Sequence, residues 1–400
     1  MNHISKTMEI FKLKMEENFM GRKKKEEIEI GKDVEKVLGL EGGEVDLLEM
    51  APFTKKSSQF FSGLKDSEQA RFTIDTYYQI QDMRINIDNK IRADKQALDN
   101  KTTDEIEAEK KASIIFYQAA MMRTYEASLK NILDSYSESN YLSRWARKTM
   151  GIGPVLAASL PAYFDLKKEP DGSTKMHAGS WWAYAGLNDN NNPWLGAKAS
   201  RDLVNQVIEE NGGKLDDETM LVICARSHWS LEHFESFKDA KKKGKWNKDA
   251  VIKSCSVIPY NKKLKVVMYK IGCSFHKLCN NDKSLYGRLF KERLQYEVTK
   301  NERGDYASQA KKILETKNFS DSDTKKCYES GKLPTSHLYA RCERYVTKLF
   351  ISHAFEAAYY NEYGCMPPQP YALCFCEGHS DYIGPEVPYD SVPRDCEMNK

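Results

Sequence analysis

Residues 145–164 read WARKTMGIGPVLAASLPAYF and hold the most informative local pattern of the chain. An amphipathic segment runs into Gly151, Gly153 and Pro154, and a second apolar segment starts directly after them. Glycine allows the backbone to turn tightly, and proline suits the first turn of a following helix. The pattern predicts two short helices joined by a tight connection, a helix-hairpin-helix.

The same connection has a candidate function. Amide groups at the start of the second helix attract an anion, and glycine lets the backbone come close to a phosphate. We therefore predict that Gly151, Ile152 and Gly153 bind a nucleic acid through its backbone, independently of base sequence. An ordinary glycine-rich connection between two helices is the alternative interpretation.

Upstream of this pattern, the segment 66–134 is rich in helix-forming residues. Apolar positions recur every three to four residues, and Asp99-Asn100-Lys101 interrupts them. This predicts a coiled-coil-like helical hairpin over 66–140, whose apolar stripe packs internally or supports a homo-oligomer. The residues 1–65 mix both signs of charge, and we expect an N-terminal arm rather than a targeting signal.

Two basic segments follow downstream. The run 241–248 reads KKKGKWNK and places an aromatic ring among lysines, a combination that can stack on bases and contact phosphates. Its candidate contacts are Lys243, Lys245 and Trp246. In 260–277 cations again recur among apolar residues. A solvated charged surface is the alternative interpretation of such runs.

The last long helix is predicted over 333–360, because Pro334 supplies a start and no later Gly or Pro interrupts it. Four cations at offsets of 0, 4, 7 and 11 share one face of this helix: His337, Arg341, Arg344 and Lys348. Stacked cations repel one another unless anions neutralise them, so this face is predicted to bind phosphate. Local pairing with Glu343 and other acidic neighbours is the alternative. The segment 364–400 contains several prolines and is predicted to be an irregular tail.

Composition limits the classes of protein to consider. The chain has 400 residues, 40% of them hydrophobic, which predicts two or three globular units. Strand signals are weak, so the fold is expected to be mainly α. Because 61 Lys+Arg nearly balance 58 Asp+Glu, a polyanionic partner has to be inferred from where the charges lie. Ten cysteines without a disulfide framework predict reduced thiols and a cytoplasmic location. No run of apolar residues is long enough to span a bilayer, so we predict no membrane partner.

Metal and cofactor signals are sparse. Cys374, Cys376 and His379 bring soft ligands close together but lack the paired Cys-x-x-Cys of a zinc knuckle. Cys224 with two nearby histidines is a second, less complete group. No phosphate-binding loop and no dinucleotide fingerprint occurs, so no cofactor is predicted.

The order of these segments resembles the C-terminal helix-hairpin-helix (Transposase_20) domain of DEDD-type insertion-sequence transposases. The resemblance is carried by Gly151 to Ala158 and by the Ala-Tyr-Ala-Gly-Leu segment 183–187, with basic helices after them. It covers roughly residues 110–360. The resemblance implies a helical domain over 141–363 whose connection contacts nucleic acid.

Two departures from that family bear on catalysis. The family carries a catalytic serine after the Gly-Leu segment, but Leu195 stands at the matching position here, which leaves Ser200 as a substitute. The family also begins with a nuclease-like domain that holds metal-binding acids, whereas this N-terminal region is predicted to be helical. The resemblance therefore implies a phage or mobile-element relative that binds nucleic acid, most of all DNA, without strand-transfer chemistry.

Two other classes of function stay open. One is a DNA enzyme, either an active recombinase or a glycosylase of the helix-hairpin-helix type with Asp165 as the acid that follows the connection. The other is an interaction protein that forms oligomers through its helical hairpin and whose basic surface is incidental.

Overall fold

The computed structural model describes residues 64, 66–98, 105–188, 195–227, 247–320, 322–369 and 382–398. Within these ranges the chain forms fourteen α-helices and no β-strand, which confirms the predicted mainly α class. Contacts divide the chain into two compact units, Met1–Lys65 with Thr76–Ser135, and Asp66–Asp75 with Tyr136–Lys400. The predicted domain boundaries after residues 65, 140 and 363 stay predictions.

The described part of the first unit consists of two long helices, α1 (Ser67–Leu98) and α2 (Glu105–Glu138), whose outer ends belong to the second unit. Arg84 of α1 pairs with Glu126 of α2, and Asp88 of α1 pairs with Arg123 of α2 at 2.5 Å. Partner numbers fall along α2 as they rise along α1, so the two helices run antiparallel.

The second unit contains twelve of the helices. In chain order they are α3 (Tyr141–Lys148), α4 (Pro154–Tyr163), α5 (Ala178–Tyr184), α6 (Ala197–Glu210), α7 (Asp217–Arg226), α8 (Lys248–Cys255), α9 (Lys262–Lys277), α10 (Leu285–Arg303), α11 (Ala307–Thr316), α12 (Asp323–Glu329), α13 (Thr335–Tyr363) and α14 (Asp395–Met398). A short 3₁₀-helix spans Tyr389–Ser391.

Helix α13 is the centre of this unit. It begins after Pro334 and ends at Gly364, whose left-handed φ of 70° is a common way to terminate a helix. Four helices pack against it: α3, α5, α9 and α10. Fully buried apolar side chains line its inner faces, among them Val346, Phe350, Ile351 and Ala354. Burial of these side chains is the main stabilising contribution to the unit.

Two smaller cores flank the centre. Helices α6, α7 and α8 enclose a cluster of buried side chains: Val204, Val207, Met220, Ile223, Cys224, Val251 and Cys255. Helices α11 and α12 close over a second cluster that includes Tyr306, Ala310 and Tyr328.

The described C-terminal residues 382–398 lie against helix α3. The Trp145 indole N–H donates to the Val387 carbonyl at 2.9 Å, and Arg144 pairs with Asp395 at 2.9 Å. Apart from the 3₁₀-helix and α14, this segment is irregular. Hydrogen bonds and an ion pair therefore hold this segment against α3.

Candidate nucleic-acid interface

Asn140 is the N-cap of helix α3, and its side chain accepts from the Leu142 amide; the helix ends at Lys148. Residues 149–153 form a tight turn, and α4 begins at Pro154 with Gly153 as its N-cap. Helices α3 and α4 pack against each other. The assignment of this pair as a helix-hairpin-helix stays a prediction.

Gly151 is required by both conformation and packing. Its φ of +93° is left-handed, a region that side-chain-bearing residues rarely adopt. A Cβ atom there would lie 2.8 Å from Leu278 Cδ1 and 3.0 Å from Ser274 Oγ. The Ser274 hydroxyl also donates to the Gly151 carbonyl at 2.6 Å. The turn is therefore held against α9 and against Leu278, the residue that follows this helix.

Only some of the predicted backbone donors of the turn face solvent. Gly151 and Gly153 are exposed, whereas Ile152 is buried and its amide donates to the Thr149 carbonyl at 3.1 Å. Ile152 thus anchors the turn instead of offering a donor. At the start of α4, no side chain among the described residues caps the helix. The candidate donors for a ligand are the amides of the two exposed glycines and the amides that follow Pro154 in the first turn of α4, since Pro154 itself has no N–H.

One anion already lies beside the turn. The Glu386 carboxylate accepts from the Met150 amide at 2.7 Å and from the Leu285 amide, at the start of α10, at 2.8 Å. A carboxylate at a helix start is favourable because backbone N–H groups converge there. Glu386 therefore joins the turn to α10 and removes the Met150 amide from the set of exposed donors.

Gly153 differs from Gly151. Its φ of −83° and ψ of 177° are extended values that any residue adopts. A Cβ atom at this position would meet nothing within 4 Å. Neither conformation nor packing within the described chain therefore demands glycine at position 153, and the surface above it is open.

Helix α9 lies directly beside the turn and carries charge of a single sign. Its sixteen residues include five lysines and no acidic residue. Ser274, which holds the turn, is flanked on the same helix face by Lys270 and Lys277 at offsets of four and three. The exposed side of α9 carries Lys262, Lys263, Lys265, Val266, Tyr269 and Lys277.

Some of these lysines have internal partners. Lys263 pairs with Asp75, and the Lys265 ammonium lies 4.3 Å from the centre of the Tyr260 ring, a cation–π distance. Lys262 and Lys277 place an exposed positive charge at each end of α9.

The Ala-Tyr-Ala-Gly-Leu segment 183–187 packs at the start of α9. The Asn261 amide donates to the Tyr184 carbonyl at 2.9 Å. Gly186 has a left-handed φ of +68°, and a Cβ atom there would lie 2.8 Å from the Tyr260 ring. This segment therefore positions the first turn of α9, while residues 149–153 contact its last turns.

The four cations predicted to form a phosphate-binding face of α13 do not share one environment. Arg341 donates to the fully buried Glu297 carboxylate at 2.7 Å and lies over the Tyr306 ring. Its partner is therefore on α10, not the adjacent Glu343 of the alternative interpretation. An arginine already paired inside the protein is not free to neutralise phosphate.

The other three cations of this face also lie in different environments. His337 is half-buried beside the Tyr328 hydroxyl, and burial, reinforced by Arg344 and Arg341, lowers its pKa, so its ring is neutral at neutral pH. The Lys348 ammonium lies 5.6 Å from the centre of the Trp182 ring. Arg344 is exposed. The interface we propose therefore does not use this column as a unit.

The candidate catalytic residues are not assembled into a site. Asp165 is exposed just after α4. Ser200 is fully buried, and its hydroxyl donates to the Leu195 carbonyl at 3.2 Å, which places it out of reach of a substrate. Lys243, Lys245 and Trp246 of the basic run lie outside the described residues, as do Cys374, Cys376 and His379.

One thiol lies near polar groups on α9. The Cys273 sulfur is 3.8 Å from a Glu343 carboxylate oxygen that also lies 3.1 Å from His276 Nδ1. Burial raises the pKa of the Cys273 thiol, and the Glu343 carboxylate raises it further. A thiol kept protonated in this way is a poor nucleophile. Within the described ranges, no group of three or more His, Cys, Asp or Glu side chains is arranged to hold a metal ion.

Comparison of the chain with protein-family models, with curated proteins and with solved structures finds no match in any of the three. The resemblance to the transposase domain is therefore an expectation from sequence alone. Among the described helices, none combines the length and apolar character needed to cross a membrane.

The basic segment 260–277 of the sequence covers α9, but its pattern singles out no contact residue. Its lysines are individually ordinary, and the basic run at 241–248 and the cations of α13 look denser. The signal that identifies α9 is the absence of any acidic residue over a sixteen-residue helix with five lysines. Its contact with residues 149–153 follows from the tertiary fold and not from sequence spacing.

Proposed function

We propose that this protein binds nucleic acid, DNA in the first instance, through the sugar–phosphate backbone, at a surface made of the turn 149–153 and helix α9. The main support for the proposal is the Ser274–Gly151 hydrogen bond of 2.6 Å. This bond joins the turn, which has two exposed glycines, to a helix with five lysines and no acidic residue. Backbone amides are directional donors for phosphate oxygens, and the lysines supply long-range attraction.

The open position at Gly153 supports the proposal independently. Gly153 leaves room for an external group to approach the backbone closely, because no atom of the described chain lies within 4 Å of the position of its Cβ. A phosphate oxygen at the exposed N-cap of α4 fits that space. The phage or mobile-element origin and the relation to transposases belong to this proposal, and they rest on the sequence resemblance.

A substitution at Gly153 tests the proposed contact. Aspartate is a better N-cap than glycine, because its carboxylate accepts from the first amides of the helix. Gly153→Asp is therefore expected to keep or slightly raise the thermal midpoint while its carboxylate competes with phosphate for those amides. We expect the affinity for a labelled DNA duplex to fall about tenfold or more, as the loss of a charge-assisted hydrogen bond implies.

Gly153→Asn is the matched control, because it caps the helix with a side chain of the same size and no charge. It is expected to lose much less affinity than Gly153→Asp. Equal binding by wild type and Gly153→Asp, with both proteins folded, would exclude the turn from the interface.

A second candidate function is self-association through α2. Four large apolar side chains at offsets of 0, 3, 7 and 11 are exposed on one face of this helix: Ile114, Tyr117, Met121 and Tyr125. Arg123 and Glu126, which contact α1, lie on a different face. Such a stripe is typical of a helix that packs against a further helix, and a second copy would supply one.

The test of this second candidate is the molar mass by light scattering. Met121→Glu is expected to convert an oligomer into a monomer, whereas Ala127→Glu, at an exposed position on another face of α2, is expected to leave the mass unchanged. A monomeric wild-type protein would rule the second candidate out.

A further inference from the structure

Helix α9 exposes two apolar side chains that backbone binding does not use. Tyr269 is 62% exposed and Val266 is 50% exposed, and they lie three residues apart on one face. Lys265 and Lys262 lie four and seven residues before Tyr269, so they share this part of the helix surface. Phosphate contacts require charge and donors, not an aromatic ring.

The Tyr269 side chain lies near Cys273, which is one turn further along α9. The Cys273 side chain raises the pKa of the Tyr269 phenol. A tyrosine side chain has only two χ angles, so it loses little conformational entropy when a flat ligand stacks on its ring.

We propose that the α9 surface, defined as Lys262, Lys265, Val266, Tyr269 and Lys277, binds unpaired nucleotides, with a base stacked on Tyr269 and the flanking phosphates neutralised by the lysines. The ligand is then single-stranded nucleic acid, or the single-stranded part of a junction. The inference rests on the proposed function and specifies its substrate class. Base stacking on an aromatic side chain within a basic groove is how single strands are bound without sequence preference.

Charge and burial favour this ligand over the other polyanions. A duplex hides the faces of its bases, so it offers nothing for Tyr269 to stack on. A lipid surface would require the apolar face of α9, but the side chains of that face are buried in the core: Leu264, Val267, Met268, Ile271 and Phe275. Two exposed apolar side chains give little insertion into a bilayer interface.

The experiment compares Tyr269→Ala, Tyr269→Phe and wild type, each as the full chain, by fluorescence anisotropy. The probes are a labelled thymidine oligonucleotide, a labelled duplex of equal length and vesicles containing anionic phospholipid. Tyr269→Ala is expected to weaken single-strand binding about fivefold or more and to leave duplex binding unchanged. Tyr269→Phe keeps the ring and is expected to bind the single strand within about twofold of wild type.

Tyr296→Ala on α10 is the matched control, because Tyr296 is a comparably exposed tyrosine outside the α9 surface. Thermal midpoints establish that all variants are folded. An unchanged single-strand affinity for Tyr269→Ala, or an equal loss on the duplex, overturns the inference while the proposed function stands. A Tyr269→Ala variant that loses affinity for vesicles alone overturns the inference in the same way. Failure of the wild type to bind either oligonucleotide overturns the proposed function as well.

Discussion

The Glu297 carboxylate is fully buried and accepts hydrogen bonds from three side chains: Arg293, Tyr306 and Arg341. Burial alone would raise the pKa of this carboxyl, but the donated hydrogen bonds outweigh burial and leave the pKa below its ordinary value. The carboxylate is therefore ionised at neutral pH and holds α10 against α13. At the residue scale, the Glu297–Arg341 pair gives Arg341 a structural role.

Removal of the Glu297 charge is expected to destabilise the fold. Glu297→Gln leaves Arg341 and Arg293 without their buried counter-ion, a change that costs about 3–5 kcal/mol in comparable buried pairs. Chemical denaturation measures the free energy of unfolding. Glu292→Gln, at an exposed position of the same helix, is expected to change that free energy by less than about 0.5 kcal/mol. Equal stability of the two variants would contradict the structural assignment of Arg341.

At the scale of elements, a buried polar chain ties the C-terminal segment to α13. The Tyr286 hydroxyl lies 2.8 Å from His353 Nδ1, and His353 Nε2 lies 2.7 Å from the Ile383 carbonyl. With the proton on Nε2, Tyr286 donates to the ring and the ring donates to Ile383. Burial lowers the pKa of His353, although the bond to Ile383 and the nearby Glu356 carboxylate oppose the shift.

The lowered pKa of His353 predicts a loss of stability in mild acid. The folded protein holds this ring neutral, whereas the unfolded chain takes up a proton near the ordinary pKa of about 6.5. The unfolded state therefore binds more protons below that pH, and the free energy of unfolding falls as the pH falls. His337, whose pKa is also lowered, contributes with the same sign.

Unfolding measured from about pH 8 to about pH 5 tests this prediction. Wild type is expected to lose stability progressively below about pH 6.5. His353→Gln cannot be protonated in this pH range. We expect it to be less stable than wild type at the highest pH, but to lose stability less steeply as the pH falls. A decline of the same steepness in both proteins would show that His353 is not responsible.

Local sequence rules account for where several helices begin and end. Gly151, Gly153 and Pro154 predict the turn between α3 and α4, and the structure has Pro154 at the first position of α4. The helix predicted over 333–360 is observed as Thr335–Tyr363, because Gly364 and not an earlier residue ends it. Such signals lie within one or two turns of the element that they define.

The candidate site could be predicted only in part, because its key relations are long-range. Helical periodicity places Arg341 on a face but does not reveal that Glu297, 44 residues earlier, lies against that face. In the same way, no local rule joins Ser274 to Gly151, which are 123 residues apart. Contacts of this range depend on how the helices pack, which residue spacing does not encode.

At the scale of the whole molecule, the charge is nearly balanced, with a formal net charge of +3 at pH 7. Attraction of a polyanion therefore depends on the local excess of positive charge at α9 and not on the net charge of the chain. At physiological ionic strength a field is screened within about 8 Å, so distant acidic residues do not cancel this excess for a ligand in contact with the helix. Binding is expected to be local to the α9 surface and sensitive to salt.

The most direct measurement of the central claim is the salt dependence of affinity for a single-stranded oligonucleotide, for wild type and for the Lys262→Gln/Lys277→Gln double variant. We predict that the logarithm of the association constant falls linearly with the logarithm of salt concentration in wild type, because phosphate contacts release counter-ions. The double variant is expected to bind more weakly at low salt, with a slope that is smaller in magnitude by about 1.4. Binding that does not respond to salt, or a slope that the double variant leaves unchanged, would contradict the proposed backbone contacts.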